Sequence, residues 1–546
     1  MKRVFLFALL ASSLPLPAWA AGGSCNAIPV PTGITSCFYV STSGADTNAG
    51  TSEAAAFAHI PGQSGCASTC ASTTPTAGEA FVLKGGDSWT LSAKIAFAFS
   101  GTSSNTIGLG AYDSTWGSGR AILTGGGTFP GATNPAEFLD LVTGTQNYID
   151  VGFVEFTGLN WSAALTNQVS YIAFGNASGI VIHDNYCHGW THSAAIAENN
   201  NAACFAGSGT ASTASNLFYN NVCDGADTDE QSMMCIGGGG FGDVYQNYIA
   251  NLEYALNGSI RLFHDNTLVN VGAVVYTGGV SHTGEMISNI DATDTSILYN
   301  NVASLNGNGG VTFWQTPNLT KTAYAFNNVL INSGTGVATP MLMCGEYFNA
   351  SSLGGGTCNW FNNTEECGPD SGPTNQCNKI GTGQPGVLIA GVTETNFHTI
   401  YNSGGGLNYV SPECASACPV TTANIVNQTL ATANAQGYTL GETYSFSPQF
   451  LGNATVGVGA NQASVCTAIT ALNAAAGAAC GKDTTYGVTY NATPHTVSYP
   501  ARVAVARPVV GAWDVGAYQV TPVAAGGGAG VVMSPGLTLP RGLVIP

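Results

Sequence analysis

Along the middle of the chain, apolar and polar positions alternate in short runs that break at a recurring asparagine. Aligned on it, the segments are IVIHDNYCHG (Asn185), NLFYNNVCDG (Asn221), GDVYQNYIAN (Asn247), RLFHDNTLVN (Asn266), SILYNNVASL (Asn301) and YAFNNVLINS (Asn328). CNWFNNTEEC (Asn363) is a looser seventh copy. Three residues before the Asn stand Ile182, Phe218, Val244, Phe263, Leu298 and Ala325. Two residues after it stand Cys187, Cys223, Ile249, Leu268, Ala303 and Leu330. Strand side chains alternate between faces, so both columns read as inward. Each copy is then a strand, a turn at the Asn, and a second strand.

The copies recur at spacings of 36, 26, 19, 35, 27 and 35 residues. The unit is constant while the connecting loop varies. Asn tolerates a left-handed turn and hydrogen-bonds locally. Stacked at about 4.8 Å, such residues would form an internal amide ladder. One strand-turn-strand per coil describes a parallel β-helix, an all-β solenoid that lengthens without a larger core.

Composition agrees with this. Gly supplies 72 of 546 residues, and long amphipathic helical stretches are absent, so strands and turns dominate. The start of the chain adds a compartment. MKR, the apolar VFLFALLASSLPLP and Ala18-Trp19-Ala20 read as a secretory signal peptide cleaved near Ala20, which is too short to span a bilayer. No later stretch is apolar and long enough to span, so a secreted protein (extracellular, periplasmic or cell-surface) is expected.

Without Lys2 and Arg3, 10 basic residues face 30 acidic ones, about -20. That excludes a nucleic-acid partner, which needs clustered Lys and Arg. The 16 Cys, an even number in a secreted chain, read as disulfides. Local pairs are Cys25/Cys37, Cys66/Cys70, Cys367/Cys377, Cys414/Cys418 and Cys466/Cys480. Because Cys187 and Cys223 share an inward column, and Cys204 and Cys235 each precede the next coil, cross-coil bonds Cys187–Cys223 and Cys204–Cys235 are expected.

Three further stretches carry a family resemblance: FYVSTSGADTNAGTSEAAAFAHIPG (38–62), FVLKGGDSWTLSAKIAFAFSGTSSNTIGLGAYDS (81–114) and WDVGAYQV (513–520). They resemble the opening segment, first coils and closing strand of secreted right-handed parallel β-helix proteins of the pectate-lyase-like superfamily. The resemblance implies a right-handed single-stranded solenoid and leaves activity open, because this fold hosts lyases, hydrolases, epimerases and adhesins. Neither the paired-Asp and Gly-His-Gly set of polygalacturonases nor the Arg set of classical pectate lyases is present. The expected divisions are an N-terminal segment and cap (21–80), main coils (81–365), later coils with disulfide-tied loops (366–521), and a disordered Gly/Pro/Ala-rich tail (522–546).

Chemistry belongs on outward positions and long insertions. Three residues after each Asn, the outward column holds His188, Asp224, Ala250, Val269, Ser304 and Ile331. The two polar leaders open the longest insertions, HGWTHSAAIAENNNAAC and DGADTDEQSMMC. Asp224, Asp227, Asp229 and Glu230 offer hard oxygen ligands suited to Ca²⁺; an ordinary solvated loop has the same composition. Glycoside hydrolysis needs two carboxyl groups, for which Asp227, Glu230, Glu253 and Glu285 are candidates, with His282 beside Glu285 as an acid/base pair. A lyase of this fold would use Arg or Lys, and Arg261 is the candidate, on a different face from His188 and Asp224.

For substrate binding the candidates are His188, Trp190 and His192, with Tyr219, Tyr245 and Tyr299 from the column two residues before the Asn. That column (His183, Tyr219, Tyr245, His264, Tyr299, Phe326) is either a sugar track or a ladder bracing neighbouring coils. The expected function is polysaccharide binding, with degradation as lyase or hydrolase. The competing class is a non-catalytic adhesin or structural appendage.

Overall fold

Strands of successive coils stack in register into three sheets of 14, 12 and 11 strands, parallel throughout except for Gly23–Ser24 at the edge of the first, which pairs antiparallel with Ser36–Val40. The structure, a computed structural model, describes residues 23–25, 31, 33–126, 136–142, 146–161, 169–192, 202–207, 215–225, 234–238, 240–252, 254–272, 285–288, 295–305, 312–315, 321–332, 341–344, 356–367, 376–380, 390–401, 406–410 and 418–520. One coil runs through Val181–His183, Tyr186–His188 and Ala202–Gly207, giving one strand to each sheet. The next runs through Leu217–Tyr219, Val222–Asp224 and Met234–Gly237. This is a right-handed parallel β-helix. Its coils extend past residue 365 to Val426–Thr429.

The register is the one the Asn alignment predicts. Ile182, Phe218, Val244, Phe263, Leu298 and Ala325 are consecutive Cα partners, all buried. So are Cys187, Cys223, Ile249, Leu268, Ala303 and Leu330. The amide ladder also forms. Asn185 Nδ2 donates to Asn221 Oδ1 at 3.1 Å, and the relay continues through Asn247, Asn266, Asn301 and Asn328 to Asn363 at 3.0–3.2 Å.

The left-handed residue, however, is not the ladder Asn. It is the one before it: Asp184, Asn220, Gln246, Asp265, Asn300, Asn327 and Asn362 have φ between 53° and 58°. One residue turns the chain while the next points its amide along the core.

The disulfides close within coils. Cys187 bonds Cys204 and Cys223 bonds Cys235, with Cα atoms 6.3 and 5.8 Å apart. This corrects the cross-coil pairing. Neighbours in one inward column point the same way, whereas the second and third sheets of one coil face each other across the core. Cys25–Cys37, Cys66–Cys70, Cys367–Cys377 and Cys466–Cys480 pair as expected, and Cys344–Cys358 adds a seventh bond among the described residues. Cys414 lies outside the described residues. Such a set suits an oxidising compartment. Among the described residues no helix is long and apolar enough to cross a membrane.

After the last coil, residues 430–520 run back along the outside as a strap over the Asn turns. It includes short helices Leu430–Ala435, Ala463–Leu472 and Ala474–Cys480. Asn424 Nδ2 donates to Val458 O, Asn327 Nδ2 to Lys482 O, and Thr267 Oγ1 to Val488 O. Farther back, Tyr490 stacks on Tyr248 and His495 on Tyr186.

Candidate functional site

The aromatic column of the first sheet is a continuous stack. His183, Tyr219, Tyr245, His264, Tyr299, Phe326 and Phe361 lie 4.5–5.2 Å apart, with ring planes within 14°. Sugars stack on ring faces, and here each interior face is already covered by the next ring. Tyr299, Phe326 and Phe361 are also buried, packed with Cys466, Ile469 and Trp513 of the strap. Of the two readings of this column, the ring geometry of Tyr219, Tyr245 and Tyr299 supports the ladder that braces neighbouring coils.

Both histidines of the stack sit between carboxylates. His183 Nε2 is 2.9 Å from Asp150 and Nδ1 2.8 Å from Asp184. His264 lies 3.1 Å from Asp243 and 2.6 Å from Asp265. Burial opposes their charge, but the carboxylates prevail, raising His183 to about 10 and His264 to about 9. Both are imidazolium at neutral pH and so cannot cycle protons there.

Trp190 is also corrected. Trp190–His192 forms an extra strand paired with Leu159–Trp161, which turns the indole wholly into the core. His192 and Glu285 are described only as strand backbone. Asp227, Asp229, Glu230, Glu253 and His282 lie outside the described residues; their segments join strands of the second sheet to strands of the third. Arg261 is on the first sheet, as expected away from His188 and Asp224, and donates to the Leu472 carbonyl at 3.4 Å.

His188 and Asp224 are Cα partners on the second sheet. Asp224 accepts from Asn251 at 2.8 Å, and Asn251 from Asn270 at 3.3 Å, a second short ladder at the base of the insertions. His188 Nε2 meets Glu155 Oε1 at 3.0 Å, with the two side chains 15% and 29% exposed. The His188 hydrogen bond outweighs burial and holds the Glu155 carboxyl below its usual range. His188 also stacks on Tyr186 at 4.2 Å, and Tyr186 on His495 at 4.1 Å. Burial pushes the His495 imidazole down.

Glu155 opens on a cleft of about 500 Å³ shared with Tyr112, Asp113, Arg120, Asp184 and His495. Arg120 is not a base there: Nε donates to Asp184 O, Nη1 to Pro494 O and Nη2 to His495 O, at 2.8–2.9 Å. It clamps the strap. A larger cleft of about 770 Å³ at Glu442, Tyr444 and Arg502 has its ionic groups paired: Glu442 accepts from Ser447 and Gln449, and Arg502 donates to Asp483. In the smaller cleft Glu155 is paired with a histidine that is itself a titratable group.

Glu155 escaped the sequence reading because its coil has Val154 where the others have Asn, so the alignment skipped it. The signal was the alternation VGFVEFTG, which puts a lone Glu outward.

No protein-family model matches the chain, and no curated protein matches it. Among solved structures it is similar to the GH136 lacto-N-biosidase from Eubacterium ramulus, at 12% identity over 71% of this chain and 68% of that one (TM-score 0.42). It is also similar to pectate lyase Pel9A, at 14% over 90% and 98% (TM-score 0.34). The catalytic domain of a GH87 α-1,3-glucanase in complex with nigerose matches at 14% over 64% of each chain (TM-score 0.33). The likeness is one of fold.

Proposed function

We propose that this is a secreted polysaccharide-binding and polysaccharide-degrading protein, acting by carboxylate chemistry as a glycoside hydrolase. The groove would run along the outward end of the second sheet. The observation that carries this reading is Glu155, partly buried and kept ionised against His188 on the floor of a cleft. An ionised carboxylate can serve as nucleophile or base toward an oxocarbenium-like transition state. The protonated partner would come from Asp227, Glu230, Glu253 or Glu285, whose segments follow the same sheet. A lyase base is not offered at this place, since Arg120 is committed to three carbonyls and Arg261 stands on another sheet. Ca²⁺ on Asp224, Asp227, Asp229 and Glu230 belongs to the proposal as a means of holding an acidic sugar on an acidic protein.

The test is a glycan panel with and without Ca²⁺, assayed for reducing ends and for unsaturated products. Reducing ends without unsaturation are expected, with Glu155→Gln lowering kcat by roughly 10²–10⁴-fold at an unchanged melting midpoint. Unsaturated product would replace the hydrolase with a lyase. Binding with no product across the panel would leave the adhesin.

A further inference from the structure

The three inward columns, apolar for most of the solenoid, turn polar at the same level near its C-terminal end. In the first sheet Trp360 is followed by Glu394, in the second Leu330 by Glu365 and Thr399, and in the third Leu342 by Asn378 and Asn408. Glu365, Glu394, Asn378 and Thr399 are completely buried. Glu394 accepts from Asn378 Nδ2 at 2.9 Å and from Asn408 Nδ2. Glu365 has no such partner: both of its carboxylate oxygens are buried without a hydrogen bond. The Oδ1 atoms of Asn378 and Asn408 are equally without one.

All four of these orphaned atoms are acceptors. A buried acceptor without a donor costs about 1–3 kcal/mol, and a buried unpaired carboxylate costs more. Protonating Glu365 would cancel its charge yet leave most of these oxygens unmet. A cation with oxygen preference is the kind of ligand that such a set of acceptors takes. The nearby Cys367 and Cys377 sulfurs, within 4.8 Å of a Glu365 oxygen, are joined in a disulfide and are not ligands.

We propose that the last closed coils enclose a site for one hard divalent cation, calcium by charge and donor set, with Glu365 and Glu394 as charged ligands and the Asn378 and Asn408 amide oxygens as neutral ones. Two carboxylates balance the dication, and all-oxygen ligation at flexible geometry suits Ca²⁺ over Mg²⁺, which retains its waters. The open end of the solenoid gives access: Thr422, the partner of Glu394 in the next coil, and Asn427, the partner of Thr399, are exposed. The ion would pin the terminal coils, from which the strap departs. This site is separate from the calcium proposed on the acidic loop.

Calcium content after equilibrium dialysis and melting midpoints in EGTA and in CaCl₂ test it. The expected result is tightly held calcium in the natural protein and a midpoint at least about 2 °C higher in calcium than in EGTA. Glu365→Leu repeats the Leu330 of the preceding coil, so it should fold, lose one equivalent of calcium and lose the shift. Glu394→Gln should weaken both. The triple variant Asp227→Asn/Asp229→Asn/Glu230→Gln should keep the equivalent of calcium and the shift that Glu365→Leu loses, and give up only the calcium of the acidic loop. An identical midpoint in EGTA and calcium overturns the site, as does a shift that survives in Glu365→Leu and disappears in the loop variant.

Discussion

Asn266→Ala will lower the stability of the solenoid by roughly 3–5 kcal/mol, a large share of what a folded domain possesses. Asn266 is fully buried at the middle of the ladder. Its Nδ2 donates to Val244 O at 3.0 Å and to Asn301 Oδ1 at 3.2 Å. Its Oδ1 accepts from the Asn247 backbone N–H at 2.9 Å and from Asn247 Nδ2 at 3.0 Å. Alanine removes four bonds and leaves a backbone donor and a carbonyl in a core that water does not reach.

Asn266→Asp is the sharper probe. It keeps the shape and the acceptors, but sets carboxylate oxygen against Val244 O and Asn301 Oδ1 and buries a charge beside them. It should be worse than alanine at pH 7 and recover as pH falls and the carboxyl protonates. Urea melts of the three proteins at pH 7 and pH 4.5 decide it. A loss below about 1 kcal/mol for alanine would mean the ladder is incidental to stability.

The same ladder shows why some of the structure could be read from the chain. A buried Asn that recurs between apolar columns has few ways to be satisfied, so finding the residue also finds the register. The turn was misassigned because two adjacent polar residues, as in Asp184-Asn185 or Gln246-Asn247, divide two tasks that one Asn could do alone. Parity likewise identified the inward cysteines, yet said nothing about which wall each sulfur faces across the core.

The strap was illegible for another reason. Its segment TYNATPHTVSYP has no period of its own, and His495 and Tyr490 acquire meaning only by stacking on Tyr186 and Tyr248. Arg120 joins a carbonyl 64 residues away to others 374 and 375 away, a link no local pattern encodes. The polar switch in the core did have a signal: in NNTEEC a Glu stands in the column where every earlier copy has Cys, Ile, Leu or Ala.

The second large effect is an alkaline loss of stability well below the ionisation of the tyrosines. His183 and His264 are raised to about 10 and about 9, against an ordinary value near 6.5. A group whose folded value is raised stabilises fully below its unfolded value, and that contribution is lost as pH rises through the folded one. The fall therefore spans roughly pH 6.5 to pH 10, with each histidine contributing up to about 3–5 kcal/mol at its lower limit.

Stacked tyrosines do not share the window, because burial drives Tyr245 up to about 12 and Tyr219 higher still. Their rings gain from the cations between which they sit, His183 against Tyr219 at 5.1 Å and His264 against Tyr245 at 5.2 Å. Asp150→Asn with Asp243→Asn removes one carboxylate from each imidazolium and lets burial pull both histidines down. The double variant should be less stable than the natural protein at pH 6.5 and nearly level from there to pH 9. Melting midpoints at half-unit steps, with tyrosinate absorbance followed in parallel, give the comparison. A natural protein that stays level across pH 6.5–10, or a double variant that falls just as steeply, would mean these histidines carry no fixed charge and the stack is held by its ring contacts alone.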